Sequence, residues 1–192
     1  MKIGVLASQG AFIEHIAVLN SLGVEAVLVR LPRELEGLDG LIIPGGESTS
    51  IGKLILDYSL TDEIRAMARN GLPIFGTCAG MIMLAKRLSD VGPEPLGLMD
   101  ITVRRNAFGR QKDSFEAELS IPVLGEPAFP GVFIRAPAIE DVDDGAEVLA
   151  RLDDGTIVAV RQKKLLASAF HPELTDDPRL HRYFLGIIAG DK

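Results

Sequence analysis

The chain holds one cysteine and three histidines, so any thiol chemistry has few places to sit. Cys78 stands in Gly76-Thr77-Cys78-Ala79-Gly80, with apolar Pro73-Ile74-Phe75 before it and apolar Met81-Ile82-Met83-Leu84 after it. Gly-x-Cys-x-Gly between a strand and a helix is the cysteine form of the nucleophile elbow. The small residues at 76 and 80 let strand and helix cross closely, while the central side chain stands exposed on a strained turn. A helix that follows aims its free N–H groups and positive end back at Cys78, which favours thiolate over thiol. The alternative is an inert, buried packing cysteine. A thiol nucleophile also needs a base. His15 and His181 fall inside amphipathic helical patterns, where a solvated or core-edge histidine is the ordinary expectation. His171 instead follows the strand pattern 165–170, and sites in α/β sheets assemble at the C-terminal ends of strands. Across Pro172 lies Glu173. Proline restricts itself and its predecessor, and one of the few conformations left turns the Glu173 carboxylate onto the imidazole. Alone, His-Pro-Glu also reads as a loop breaker with a helix-flanking acid.

Acyl transfer further requires an oxyanion hole. Ala79 N–H is one donor, and the loop Pro44-Gly45-Gly46-Glu47-Ser48 is the natural source of a second, at Gly46. An ordinary glycine turn is the alternative there. A phosphate loop fails on register, because its first glycine would fall at Glu47 and Leu54 replaces the required hydroxyl residue. Arg104-Arg105-Asn106-Ala107-Phe108-Gly109-Arg110-Gln111 and Phe133-Ile134-Arg135-Ala136-Pro137 are polar beyond the needs of a core. The apolar neighbours of Arg135 predict burial, and a buried guanidinium needs a partner such as a substrate carboxylate. Glu47 is then placed to face an ammonium.

The elements that position these residues follow from periodicity. Residues 2–7, 24–29, 41–43 and 73–75 read as strands, and helical patterns run from Phe12 to Leu22, around Ile51, Leu54 and Ile55, and over 61–70. Gly23 and Gly71 stop two of the helices. This alternation predicts a parallel sheet covered on both faces. After the elbow helix, Gly92-Pro93-Glu94-Pro95 breaks the chain. Strand-like segments follow at 101–104, 115–121, 132–135, 147–152, 156–160 and 165–170. Asp153-Asp154-Gly155 is a hairpin turn, and the C-terminal half should be more antiparallel, extending or flanking the parallel sheet. Asp177-Pro178 offers an N-cap and first-turn proline for a final helix to about Ile188.

With 192 residues the chain is sized for one domain, 1–192, with a core that needs no disulfide or metal. A net charge of −7 argues against nucleic acid or an anionic membrane as main partner. A single cysteine fits a reducing, cytoplasmic setting. No apolar run approaches membrane-spanning length, and the run at 2–7 stops too early for a signal peptide.

Six stretches together resemble the class I (triad-type) glutamine amidotransferases. They are Gly4-Val5-Leu6-Ala7-Ser8-Gln9-Gly10, Pro44-Gly45-Gly46-Glu47-Ser48-Thr49, the elbow, Arg105-Asn106-Ala107-Phe108-Gly109-Arg110-Gln111, Phe133-Ile134-Arg135-Ala136-Pro137 and His171-Pro172-Glu173. More narrowly, and over essentially the whole chain, they look like the glutaminase subunits of pyridoxal 5′-phosphate synthase. The resemblance implies a flavodoxin-like three-layer α/β sandwich, mostly parallel with antiparallel additions. It implies Cys78 as nucleophile, His171 as base and Glu173 as its orienting acid. It assigns glutamine contacts to Gly46, Glu47, Ser48, Arg105, Ile134 and Arg135, and gives Gln9 a supporting role in the oxyanion hole when a synthase subunit docks. The implied activity is hydrolysis of L-glutamine to glutamate and ammonia. The ammonia passes to a PdxS-type synthase partner for vitamin B6 formation, and no cofactor or metal is called for in this chain. The same residues would also suit a glutaminase for another synthase, such as the imidazole glycerol phosphate system, a cysteine peptidase on the same scaffold, or a non-catalytic regulatory subunit.

Overall fold

The computed structural model describes residues 1–7, 10–109 and 114–190. In chain order the elements are β1 (Lys2–Leu6), α1 (Phe12–Ser21), β2 (Glu25–Val29), β3 (Gly40–Ile43), α2 (Ser48–Asp57), α3 (Leu60–Arg69), β4 (Ile74–Thr77) and α4 (Ala79–Leu84). The second half continues with β5 (Ala85–Leu88), β6 (Met99–Arg104), β7 (Ser114–Leu119), β8 (Phe129–Ile134), β9 (Ala138–Val142), β10 (Glu147–Arg151), β11 (Ile157–Gln162), β12 (Leu165–Ser168) and α5 (Arg179–Ala189). A short 3-10 turn, Pro172–Leu174, lies between β12 and α5.

Among the described residues the main sheet runs β2-β1-β3-β4-β12-β11-β9-β6-β5, with β10 paired to β11. The pairs β1–β2, β1–β3, β3–β4 and β4–β12 are parallel, whereas β11 pairs antiparallel with β12, β9 and β10. The central strands are short and wholly apolar or small, as strands covered on both faces should be. Ile3, Val5, Leu41, Ile42, Ile43, Ile74, Phe75 and Leu166 are completely buried. Successive side chains of β4 point to opposite faces. Phe75 meets Phe184 of α5, with ring centroids 5.6 Å apart, and His15 of α1 at 6.4 Å. On the other face, a Cβ on Gly76 would lie 2.6 Å from the Gly80 backbone of α4. Helices therefore cover both sides, giving the three-layer flavodoxin-like sandwich. β7 and β8 form a separate antiparallel ribbon. Phe115 and Phe133 stack in it, Phe108 from the preceding loop packs edge-on against both, and Phe133 joins it to the core through Phe170.

Several elements depart from the sequence expectation. The elbow helix is only six residues long and passes directly into β5, which periodicity did not predict. The backbone around Leu84 and Ala85 is held by the returning segment 96–98, through Leu96 N–H to Met83 O and Leu98 N–H to Leu84 O. β9 was also not predicted. Its Glu140-Asp141 stretch is exposed and breaks the apolar pattern. Pro178, not Asp177, is the N-cap of α5, and Asp177 instead accepts from Arg179 N–H at 3.0 Å. The turn at 153–155 does join β10 to β11, with Gly155 at φ 86° and Leu152 N–H bonded to Thr156 O.

Candidate active site

Three neighbouring strands, β3, β4 and β12, end side by side, and the chain leaving each carries part of one pocket. β4 ends at Thr77, and Cys78 follows as the N-cap of α4 with φ 49° and ψ −105°. That strained state is fixed on both sides: Cys78 N–H donates to Ser168 O at the end of β12, and Cys78 O accepts from Ile82 N–H. Close packing requires glycine on either side of the turn. A Cβ on Gly80 would overlap the carbonyl oxygen of Ile43. The thiol is not exposed as the elbow pattern predicted. Cys78 is largely buried and lines the pocket floor, with Sγ 3.9 Å from Ile134 O.

His171 leaves β12 three residues beyond its end, and its N–H donates to Val132 O of β8, so the ribbon sets the histidine's backbone. Its Nδ1 lies 2.7 Å from Glu173 Oε1. Cys78 lies beside the ring in the same pocket, where its sulfur favours the charged imidazole. Burial works against a charged imidazole here. The bonds and charges of Cys78 and Glu173 outweigh it and raise His171 to about 10. The ring is wedged against the β3 loop, where a Cβ on Gly45 would overlap the imidazole and stand 3.3 Å from Cys78 Cβ. Gly10 similarly leaves no room between itself and the Gly45 carbonyl.

The pocket is lined by Gly46, Glu47, Ser48, Ala79, Arg105, Ile134 and Arg135 together with Cys78 and His171. Every pocket-lining position expected from sequence is thus brought together, while Glu173 lies behind His171. Gln9, and Arg110 and Gln111 of the arginine-rich stretch, lie outside the described residues. Gly46 has φ 154°, and Ala79 N–H, in the first turn of α4, has no acceptor within its helix.

Two side chains differ from expectation. Arg135 is exposed, not buried, because β8 ends at Ile134 and the chain turns out at φ 42°. Glu47 caps α2, accepting from Thr49 N–H at 2.9 Å, Ser50 N–H at 2.7 Å and Ser50 Oγ at 2.8 Å. Burial opposes its charge, but these donors win and hold Glu47 at about 2. Its Oε1 also lies 3.8 Å from Arg105 Nη2, so the carboxylate is largely committed within the protein.

His15 and His181 depart furthest. Neither is solvated or at the core edge. Both are completely buried, with His15 Nδ1 2.9 Å from His181 Nε2. His15 Nε2 lies 3.1 Å from Thr77 Oγ1 and 3.4 Å from Glu173 Oε2. Burial drives His15 well below 6.5, with His181 and His171 adding to the effect, and burial lowers His181 to about 4. Helical periodicity marked their faces but gave no sign that the two helices meet at histidines.

A buried thiol on a strand–helix elbow, an imidazole beside it and a carboxylate behind that imidazole are the groups a cysteine-dependent hydrolase uses, set here on a flavodoxin-like sheet. The chain belongs to the SNO glutamine amidotransferase family, matching it over residues 5–189. It is 60% identical over 190 residues to pyridoxal 5′-phosphate synthase subunit PdxT of Herpetosiphon aurantiacus, covering 97% of this chain and 100% of that protein. It is 58% identical over 188 residues to the subunit of the same name from Moorella thermoacetica, covering 98% and 100%. A crystal structure of a glutamine amidotransferase superposes with a TM-score of 0.92 at 54% identity, covering 97% of this chain and 98% of that one. PurLQS from Thermotoga maritima, at 17% identity and a TM-score of 0.74 over 96% and 97%, shares the fold.

Proposed function

We propose that this chain is the glutaminase subunit of a pyridoxal 5′-phosphate synthase, hydrolysing L-glutamine at Cys78 and delivering ammonia to a PdxS-type partner. The observation that carries the chemistry is the continuous contact Cys78–His171–Glu173 in the pocket where β3, β4 and β12 end. The names of its relatives at 58–60% identity support this synthase over the imidazole glycerol phosphate system.

Cys78 Sγ, as thiolate paired with the His171 imidazolium, attacks the side-chain carboxamide carbon of glutamine. The carbonyl oxygen becomes an oxyanion held by the N–H groups of Ala79 and Gly46. His171 gives its proton to the nitrogen as the C–N bond breaks, releasing ammonia and leaving a γ-glutamyl thioester. A water then gives a proton to His171 and its oxygen attacks the thioester carbon, and expulsion of the Cys78 thiolate frees glutamate. Glu173 keeps the His171 Nδ1–H fixed throughout, so that the other ring nitrogen serves the sulfur and the leaving group. Arg135, unpaired by any ion pair among the described residues and exposed at the rim, suits the α-carboxylate of glutamine; Arg105 and Ser48 complete the amino-acid end. Glycine at 45 and 46 leaves the loop free to reorient a peptide when the partner docks, with Gln9 stabilising the productive form. An unpaired cysteine and the lack, among the described residues, of a helix long and apolar enough to cross a membrane agree with work in the cytoplasm.

The test is glutamate release by wild type and Cys78→Ala, each mixed with the purified synthase. The alanine variant should bind the partner and release no glutamate, and a glutamine-like electrophile should label wild type at Cys78. Normal turnover by Cys78→Ala would overturn the assignment.

A further inference from the structure

Two of the three histidines have no part in the triad, yet they are buried at its back. From the geometry we infer that His15 is a positioning residue for the Glu173 carboxylate, and that His181 fixes the tautomer in which His15 does so. This rests on the glutaminase reading above.

Glu173 has two carboxylate oxygens, both buried. Oε1 faces His171 Nδ1 at 2.7 Å. Oε2 makes no conventional hydrogen bond among the described residues, and an ionised oxygen left so is costly. Its polar neighbour is His15 Nε2 at 3.4 Å, between two side chains with no solvent exposure. Hydrogen-bond directions then follow by elimination. If His15 carried its proton on Nδ1, it would donate to His181 Nε2. The Nε2 lone pair would then face the Glu173 carboxylate, and His181 Nδ1–H would be a buried donor with no acceptor. The opposite choice removes both faults. His181 Nε2–H donates to His15 Nδ1, and His15 Nε2–H is directed at the space between Thr77 Oγ1 and Glu173 Oε2. Only a bare lone pair remains at His181 Nδ1, the cheaper atom to bury.

The resulting chain converges on Glu173: His181 donates to His15 and His15 Nε2–H is directed toward Oε2 from one side, while His171 donates its Nδ1–H to Oε1 from the other. It joins α5, α1, the turn Pro172–Leu174 and the end of β4. Glu173 can swing about its terminal torsion, and an N–H facing Oε2 at 3.4 Å opposes that swing. His171 is thereby aimed at the sulfur. Neither His15 nor His181 touches the pocket, so glutamine binding should be indifferent to both.

The experiment measures kcat and KM for glutamine, and the melting temperature, of His15→Phe, His15→Gln and His181→Phe in complex with the synthase. Cys78→Ala is run beside them. Phenylalanine fills the volume without a donor, whereas glutamine carries an amide N–H to about the place of Nε2. His15→Phe should lose about 10- to 100-fold in kcat, the worth of a hydrogen bond to a charged group, with KM unchanged. His15→Gln should recover most of that loss, and His181→Phe should fall between. Equal losses in His15→Phe and His15→Gln would make the position a packing site and overturn the inference. So would wild-type kcat in His15→Phe, with Cys78→Ala inactive. Should His15→Phe fail to fold, near-wild-type kcat in His15→Gln with a reduced kcat and unchanged KM in His181→Phe would support the inference, and any other result for that pair would overturn it. Turnover by Cys78→Ala would instead sink the glutaminase reading itself.

Discussion

Cys78 occupies a backbone state, φ 49° with ψ −105°, of a kind that costs about 1–3 kcal/mol and persists only where its surroundings over-determine it. The determinants are particular: the β12 carbonyl on its N–H, the first turn of α4 on its carbonyl, and glycine at 76 and 80. Arg135 shares the left-handed region at the opposite rim, but is exposed. Arg135→Ala should therefore leave the melting temperature unchanged and raise the KM for glutamine about tenfold or more, as loss of a charge-assisted contact. Steady-state glutaminase kinetics of the complex check both halves. At this scale the meeting of Cys78, His171 and Glu173 was legible in the sequence because one cysteine and one well-placed histidine left little choice. Arg135 was misread because apolar neighbours on a strand do not reveal where the strand ends. The roles of His15 and His181 were illegible, since nothing local links positions 166 residues apart.

The elements meet at glycines. Gly80 on α4 touches the Ile43 carbonyl of β3, which is backbone and cannot rotate away as a side chain would. Gly80→Ala should accordingly push α4 off the sheet, lowering stability by about 1–3 kcal/mol by overpacking, and should cut glutaminase activity as well because Cys78 caps that helix. Denaturant unfolding and turnover of the same variant provide the check. The N-terminal half, β1 to β4 with α1 to α3, was legible because helices and parallel strands have distinct periods and glycine stops. The second half was less so. α4 gives way to β5 with no intervening turn residue, and β9 holds β11 through the single register pair Ile139–Ile157. Such strands are specified by neighbours far along the chain, which a local pattern cannot carry.

For the whole molecule, the three histidines set opposing pH dependences. His15 and His181 are held below 6.5, so the unfolded chain takes up their protons first as pH falls. Their contribution is present above about 6.5 and lost toward about 4, where His181 titrates in the fold. His171 is raised, so its contribution is full below 6.5 and lost as pH climbs through about 10. As far as these groups decide, the melting temperature should peak near pH 6.5. Among the described residues His181 faces His15 and Phe75 and no acid that an added proton would satisfy, so His181→Phe should weaken the acid-side dependence, leaving the part due to His15, and not alter the alkaline side. Thermal melts from pH 4 to 10 on both proteins read this out. The sheet order has a consequence for how the molecule is made. β12 lies between β4 and β11, and in the sheet of the described residues it is the strand that joins the four N-terminal strands to those of the second half. Ribosomes deliver Cys78 long before β12, His171 and Glu173. Through most of synthesis β4 is thus an open edge, and its cysteine an ordinary thiol with neither partner nor pocket. On the proposed glutaminase mechanism, closing the sheet and arming the sulfur are a single late event, so an unfinished chain would not hydrolyse glutamine and spill ammonia.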